Sequence, residues 1–257
     1  MAVATSERIA EEAGRRSEPA PVVLVQFPRV WGRNPSPFAL KLETWLRLAD
    51  IPFTIEESLR PDRMPKGKLP CIRDGGRLIA DSSTIIAHLK ATRGIDPDAG
   101  LSARQRAEAL ILQRLFEEHL YFVVVWARWI DPEGWETIAR DFFARVPAAL
   151  RPAARTILRR RFARMLQLQG LGRHDRDEIL ARAREDLAAL SARLGDRPFF
   201  MGEQLTTIDA VAFGFLANIL LVPVEGELKR LAQGFANLVA FCETMEAGIY
   251  GEGRAEP

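Results

Sequence analysis

In the first hundred positions, the spacing of apolar residues is typical of strands in some segments and of helices in others. Residues 22–25 form a continuous apolar run rich in β-branched side chains, which is typical of a strand buried on both faces. Residues 36–49 place apolar side chains at helical spacing, and Ser36-Pro37 has the form of a helix cap followed by proline in the first turn. In that helix the pattern assigns Lys41, Glu43 and Arg47 to the face opposite the apolar stripe.

Short strands and one further helix complete this first segment. Strands are predicted at 53–55, 69–72 and 78–80, the last two joined by the turn Asp74-Gly75-Gly76, and a helix at 83–92 ends at Gly94. The order strand, helix, strand, strand, strand, helix predicts a thioredoxin-like mixed sheet with helices packed on it.

The chain after residue 101 predicts helices only. Thr206 and Asp209 have the spacing of a capping box at the start of one of them. We predict a disordered tail (1–20), a thioredoxin-like α/β domain (21–94) and an all-helical C-terminal domain (101–250). The helices of the last domain are predicted near 102–130, 134–168, 176–194, 206–221 and 228–247.

Composition narrows the classes of partner. The 36 basic and 34 acidic residues nearly cancel to a net charge of +2, so no global field favours nucleic acid or an anionic membrane. The apolar stretch at residues 121–130 contains Arg128 and is too short for a membrane span. Cys71 and Cys242 are the two cysteines, which favours a reducing, cytoplasmic location in which both are small buried hydrophobes.

Residues 65–82 combine several features of a binding pocket. Pro70 cannot donate to a sheet, and a cis Leu69–Pro70 bond would turn the Leu69 backbone outward, free to pair with an extended ligand. Asp81-Ser82 lies where a helix begins, and unpaired amides there favour a carboxylate. Each feature alone is more often structural. Together they predict a pocket for a small peptide with a free carboxylate and a free amine.

In order and spacing, residues 65–82 resemble the glutathione-binding half of the glutathione S-transferase family. Residues 199–214 resemble the folding motif of that family's C-terminal domain, so the resemblance covers about 22–245. The segments 36–38, 40–43 and 51–52 look most like the metaxin and failed-axon-connections branch, as a bacterial-type soluble member would. Not all members of that branch are established catalysts. The resemblance implies the glutathione S-transferase fold, glutathione as co-substrate, a small electrophile and a homodimer.

The resemblance also implies the roles of individual residues. Ser36 stands where serine-type transferases carry the serine that stabilises the glutathione thiolate, and the alternative is that it only caps the helix. Because neither end of residues 36–39 is cysteine, thiol–disulfide exchange at this site is not expected. The implied glutathione contacts are Leu69, Pro70, Asp81, Ser82 and Lys68, with Arg33 and Lys66 as further candidates for the glycyl carboxylate.

Two other groups of residues carry weaker signals. His119, Phe122 and Trp126 fall on one helical face and are candidates for a second-substrate pocket, although such a stripe more often packs in a core. The arginines of residues 151–164 alternate with apolar residues, as in an amphipathic helix with a solvated basic face. Binding of an anion, a nucleic acid or a membrane surface is the alternative there. No metal is expected, since no cluster has ligand spacing.

Two hypotheses of function remain. The first is conjugation of glutathione to a small electrophile. The second is a non-catalytic binding or scaffold protein that keeps the fold, as in metaxins. Affinity for glutathione separates them.

Overall fold

The computed structural model describes residues 21–144 and 146–251, and the predicted tail 1–20 lies outside the described residues. The first unit is a four-stranded sheet with two helices. Its sheet order is β2-β1-β3-β4, in which β1 runs parallel to β2 and antiparallel to β3. The elements are β1 (Val22–Gln26), α1 (Pro37–Leu48), β2 (Phe53–Glu57), β3 (Cys71–Asp74), β4 (Arg77–Ala80) and α2 (Ser82–Arg93). The predicted thioredoxin-like arrangement is confirmed.

The boundaries of this unit follow from local chemistry. Ser36 caps α1, with Pro37 at its first position, and Gly94 ends α2 in the left-handed conformation with φ of 68°. Gly75 and Gly76 form the turn of the β3–β4 hairpin, where φ values of 55° and 80° require glycine. Strand β3 begins at Cys71, two residues later than predicted, so Leu69 and Pro70 precede the sheet.

The second unit is helical. A π-helical segment (Leu115–Leu120) joins α3 to α4, so the helix predicted over 102–130 is nearly continuous. The helices are α3 (Ala103–Arg114), α4 (Tyr121–Trp129), α5 (Pro132–Asp141), α6 (Arg151–Gln169), α7 (Arg176–Leu194), α8 (Thr207–Leu220), α9 (Glu227–Gln233) and α10 (Ala236–Tyr250). No helix in the described ranges is long and apolar enough to cross a bilayer.

Two of the predicted helices are wrong in extent. The helix expected over 134–168 is divided into α5 and α6, because Pro147 has no N–H to donate and disfavours a helical residue before it. Phe142, just past α5, packs edge-on against Trp129 with ring centroids 5.8 Å apart. The helix expected over 228–247 is divided into α9 and α10, since Phe235 takes a non-helical conformation (φ −106°, ψ 88°).

Helix α1 lies between the sheet and α8, and this position removes the polar face that the sequence pattern assigned to it. Lys41 and Glu43 are almost fully buried. The backbones of α1 and α8 approach so closely at Gly214 that a Cβ there would lie 2.7 Å from Lys41 N and Pro37 O. The absence of a side chain at residue 214 therefore allows α1 to pack this closely on the C-terminal unit.

The capping box at the start of α8 is confirmed. The Asp209 carboxylate accepts hydrogen bonds from the backbone N–H and the hydroxyl of Thr206, both at 2.8 Å, and from the Phe200 N–H at 2.8 Å. Burial raises the pKa of Asp209 to about 6, while these three donors oppose the shift. The capping box thus ties the loop before α8 to the helix in the interior of the protein.

Candidate functional site

Ser36 occupies the N-cap of α1. Its Oγ accepts a hydrogen bond from the Ala39 N–H at 3.4 Å, and its own N–H donates to Asn34 Oδ1 at 3.0 Å. Because the hydroxyl oxygen accepts from the helix, the hydroxyl proton is left to donate outward. The side chain is half-buried at the positive end of a helix dipole, where a negatively charged sulfur is favoured. Capping and thiolate stabilisation are therefore compatible in one geometry.

The loop before Ser36 is held by residues of the C-terminal unit. Arg128 of α4 donates to Pro35 O at 2.6 Å and, through its other terminal nitrogen, to the backbone oxygen of Asn218 at 2.6 Å and to its Oδ1 at 2.7 Å. Asn34 donates in turn to Phe27 O at 2.7 Å. Full burial lowers the pKa of Arg128 to about 10, so the guanidinium stays charged at neutral pH. Its charge is solvated by backbone carbonyls, which fixes the position of the loop.

The start of α2 is capped by an exposed carboxylate. Asp81 is the N-cap, and its carboxylate accepts from the N–H and the hydroxyl of Thr84 at 3.0 and 3.1 Å. Partial burial would raise the pKa of Asp81, but the hydrogen bonds from Thr84 outweigh it and hold that pKa below its usual range. Asp81 is exposed and keeps lone pairs for an ammonium group, whereas Ser82 is buried at the first turn. The Leu69–Pro70 bond is cis.

A buried lysine joins α1 to the start of α2. Lys41 Nζ donates to Ser82 Oγ at 3.2 Å and to Ser83 Oγ at 2.9 Å, and it forms an ion pair with Glu117 Oε1 at 2.6 Å. Gln113 donates to Ser83 Oγ at 2.8 Å and to Glu117. Burial lowers the pKa of Lys41, and the Glu117 carboxylate partly opposes that shift. Since Ser82 Oγ accepts from Lys41, its hydroxyl proton is left to donate to another acceptor.

Glu117 lies in the π-helical segment, and π segments are frequent at functional positions because they redirect side chains. It is 7% exposed, and its ion pair with Lys41 crosses between the two units. The candidate γ-glutamyl end of the site is therefore supported from both domains.

The three candidates for a second-substrate pocket do not share one environment. His119 Nδ1 lies 2.5 Å from Asp186 Oδ2 of α7, and Trp126 is 6% exposed within the core. Phe122 is half-buried and packs edge-on against Tyr121, with centroids 5.1 Å apart. Tyr121 itself packs edge-on against Phe38 of α1 at 5.0 Å. The face of α4 that meets the first unit near Ser36 thus includes Tyr121 and Arg128.

The three candidate cations differ in availability. Arg33 forms a bidentate pair with Glu246 of α10, at 3.1 and 3.3 Å. Lys66 and Lys68 are exposed in the loop before β3, and the charge of Lys66 contributes to the lowered pKa of Asp81. Lys66 and Lys68 are accordingly the cations with room to meet a carboxylate.

The basic helix is only partly solvated. Arg155 donates to Ala139 O at 2.6 Å, Arg159 to Trp129 O and Ile130 O at 3.1 Å each, and Arg151 to Val146 O at 2.8 Å. These three arginines satisfy carbonyls at the ends of α4 and α5 and in the loop that follows α5. The expected solvated face is reduced to the outer arginines of α6.

Both cysteines are buried free thiols, as expected. Burial raises the pKa of each, so neither supplies a thiolate at neutral pH. Among the described residues, no group of three or more His, Cys, Asp or Glu side chains has metal-binding geometry.

Sequence reasoning missed the buried charges of the site. Lys41 was assigned to a polar helix face, and Glu117 gave no signal because a regular helix does not predict a π segment. Arg128 did give one: an arginine within an apolar run must find internal acceptors.

Comparison with known proteins assigns both units. Residues 37–134 match the family model for the glutathione S-transferase N-terminal domain, and residues 183–245 match that for the glutathione S-transferase C-terminal domain. The chain is 36% identical over 231 residues to isoprene-epoxide glutathione S-transferase of Rhodococcus sp. (strain AD45), covering 86% of this chain and 96% of that protein. It is 32% identical to metaxin-1 of Mus musculus, covering 87% and 73% of the two chains.

Solved structures agree on the fold. Rice glutathione S-transferase 1 in complex with glutathione superposes with a TM-score of 0.58 at 18% identity, covering 90% of this chain and 88% of that one. The β-etherase LigF from Sphingobium sp. strain SYK-6 gives a TM-score of 0.60 at 16% identity, covering 89% and 96%. The two matched domain models and the relative aligned over nearly its whole length show that this chain belongs to the glutathione S-transferase superfamily, with metaxins among its relatives.

Proposed function

We propose that this protein binds glutathione and conjugates its thiolate to a small electrophile, with Ser36 as the group that stabilises the thiolate. The observation that carries the proposal is the position of the Ser36 hydroxyl at the N-terminus of α1, the helix whose Lys41 also binds Ser82 beside the capping residue Asp81 of α2. The sulfur, ammonium and carboxylate groups of one tripeptide would then have separate partners at the N-termini of α1 and α2.

The proposed contacts divide glutathione into three parts. Asp81 accepts from the γ-glutamyl ammonium, while Ser82 donates to the γ-glutamyl carboxylate. The Leu69 backbone pairs with the cysteinyl residue beside Pro70, and Lys68 meets the glycyl carboxylate. Of the predicted second-substrate residues His119, Phe122 and Trp126, half-buried Phe122 beside Tyr121 is the proposed lining, since His119 pairs with Asp186 and Trp126 lies in the core.

An epoxide is the first electrophile to test, because the relative from Rhodococcus carries an epoxide in its name. In that reaction the glutathione sulfur forms a bond to a ring carbon, the ring C–O bond breaks, and the resulting alkoxide takes a proton from water. A hydroxyl donor at the thiolate raises its population at neutral pH, since a free thiol has a pKa of about 8.5.

Substitutions at Ser36 separate catalysis from capping. Ser36→Thr keeps the cap and the O–H donor, Ser36→Asp keeps the cap but loses the donor, and Ser36→Ala loses both. We expect Thr to retain turnover, whereas Asp and Ala lose about a hundredfold, the scale of removing one donor from a developing anion. Equal turnover in Ser36→Asp and the unaltered protein would remove Ser36 from the mechanism.

A calorimetric titration tests the binding site itself. Glutathione is titrated into the purified protein and into the Asp81→Ala, Ser82→Ala double variant. Binding that is lost in the variant supports the assignment, and the absence of heat in the unaltered protein refutes it.

A second function, a non-catalytic binding or scaffold role, is favoured by a specific observation. The match to metaxin-1 extends over 234 residues at 32% identity, slightly longer than the 231 residues matched to the transferase at 36%. Under this alternative the Lys41–Glu117 pair is purely structural. The scaffold hypothesis predicts that the protein either binds glutathione without turnover or does not bind it. In both cases it predicts that the protein binds a protein partner.

We also propose a cytoplasmic homodimer. Leu110 and Ile111 on α3 are 51% and 68% exposed, which supports a protein contact on that helix. The free thiols of Cys71 and Cys242 are compatible with a reducing compartment. A monomer mass in light scattering would refute the dimer.

A further inference from the structure

Helix α6 presents one face to the protein core and another to solvent, and the two faces differ in composition. On the inner face, Phe162 stacks on Trp129 with centroids 4.1 Å apart, and Leu166 is 1% exposed. Arg155 and Arg159 belong to this inner side through their bonds to carbonyls. The orientation of the helix about its own axis is thereby fixed.

The outer face combines exposed aliphatic side chains with arginine. Ile157, Arg161, Arg164 and Leu168 are separated by four, three and four residues, which places them on one line along the helix. Ile157 is 66% and Leu168 75% exposed, and both arginines are exposed. Exposed Arg160 lies beside this line. We call the five residues from 157 to 168 the outer face of α6.

The charge of this region has one sign. No aspartate or glutamate occurs between Asp141 and Asp175. The arginines of the outer face, Arg160, Arg161 and Arg164, form no ion pair with any described residue, in contrast to Arg140 and Arg176 on neighbouring elements. The face thus offers positive charge that the described protein does not neutralise.

We propose that the outer face of α6 is a docking surface for an anionic lipid bilayer. A helix with aliphatic residues along one line and arginine beside them can lie in the plane of the interface. There the aliphatic side chains enter the acyl boundary and the guanidinium groups meet lipid phosphates. Ile157 and Leu168 are about 16 Å apart along the helix, so both reach one flat surface at the same time. This contact is peripheral, involves no spanning helix, and does not depend on the proposed glutathione chemistry.

Sedimentation with vesicles tests this surface on the full chain. The probes are vesicles of phosphatidylcholine alone and vesicles in which about a third is phosphatidylserine. We expect the protein to sediment with the anionic vesicles only, and the bound fraction to fall with added salt. No sedimentation with anionic vesicles, or equal sedimentation with both kinds, overturns the proposal.

Two variants of the outer face separate charge from apolar contact. Replacing Arg160, Arg161 and Arg164 by Gln is expected to lower the partition coefficient about a hundredfold, since each arginine near such a surface contributes about fivefold. Ile157→Ser with Leu168→Ser is expected to lower it at least tenfold. Circular dichroism checks that each variant stays folded.

The matched control changes the same charge elsewhere. Arg77, Arg182 and Arg184 are exposed on β4 and α7, and replacing all three by Gln gives the same net charge as the outer-face variant. The control is expected to sediment like the unaltered protein, and an equal loss would show that net charge alone drives binding. A serine double variant that halves the mass in light scattering, with vesicle binding unchanged, would make the face a contact between copies and also overturn the proposal.

Discussion

The contact of α1 with α8 at Gly214 predicts that alanine has opposite effects on stability at two helical glycines. Gly214 and Gly248 both lie inside helices, in α8 and α10. Helix propensity alone predicts that replacing either by alanine stabilises the protein by about 1 kcal/mol. A Cβ at Gly248 would meet no atom within 4 Å, whereas one at Gly214 would lie 2.7 Å from two backbone atoms of α1.

The clash sets the sign of the effect at Gly214. Ordinary contacts of a Cβ begin at 3.4 Å, so α1 has to move by about 0.7 Å, and backbone atoms cannot turn aside as side-chain ends do. Overpacking of this kind costs about 1–3 kcal/mol. After the propensity gain of about 1 kcal/mol is subtracted, we expect Gly214→Ala to lower the free energy of unfolding by up to about 2 kcal/mol, and Gly248→Ala to raise it by up to about 1 kcal/mol.

Urea unfolding followed by circular dichroism measures both variants under one condition. Because Ser36 caps the helix that must move, Gly214→Ala is also expected to weaken glutathione binding, whereas Gly248→Ala is not. Equal shifts of the urea midpoint in the two variants would refute the close approach of α1 and α8. A normal glutathione affinity in Gly214→Ala would refute the link to Ser36.

Three further predictions concern buried charges. Lys41→Met removes the closer cation of buried Glu117 and leaves it the contact to Arg114 at 3.6 Å, so it should cost about 3 kcal/mol in urea unfolding. Adding Glu117→Gln should recover part of that loss, and additive costs would contradict the ion pair. The folded-state pKa of Asp209 is raised from 3.8 to about 6, so the folded protein binds that proton more tightly than the unfolded chain. Relative to Asp209→Asn, stability should therefore fall by up to about 3 kcal/mol as pH rises through this window, and a constant difference would refute the shifted pKa. Arg128→Lys keeps the charge but loses the two-pronged guanidinium that binds Pro35 and Asn218 together. We expect it to lower the free energy of unfolding by about 2 kcal/mol and to reduce turnover. Unchanged turnover would show that the loop before Ser36 holds its position without Arg128.

Local signals in the sequence predicted much of the fold. The cap at Ser36, the stop at Gly94 and the capping box of Thr206 and Asp209 depend on side chains and backbone within four residues of one another. Such contacts form wherever the local sequence occurs, so a pattern of types and spacings identifies them.

Contacts between distant segments were not predictable in the same way. Lys41 is buried because α8 covers it from above the sheet, and its partner Glu117 lies 76 positions further along the chain. Nothing in the spacing of α1 distinguishes a solvated lysine from one that a second domain encloses. The break between α5 and α6, by contrast, had a local signal in Pro147, which the prediction of one helix over 134–168 did not use.

The arginine that fixes the loop before Ser36 has a consequence for synthesis of the chain. Asn218, which accepts from Arg128 and whose amide donates to Asn34 O at 3.4 Å, is 184 positions downstream of Asn34. At about 5–20 residues per second, a ribosome adds that length in roughly 10–40 s. The first unit thus emerges complete in sequence long before the residues that shape its loop. Until Asn218 has been added, the loop before Ser36 lacks the contacts that hold it in the folded protein.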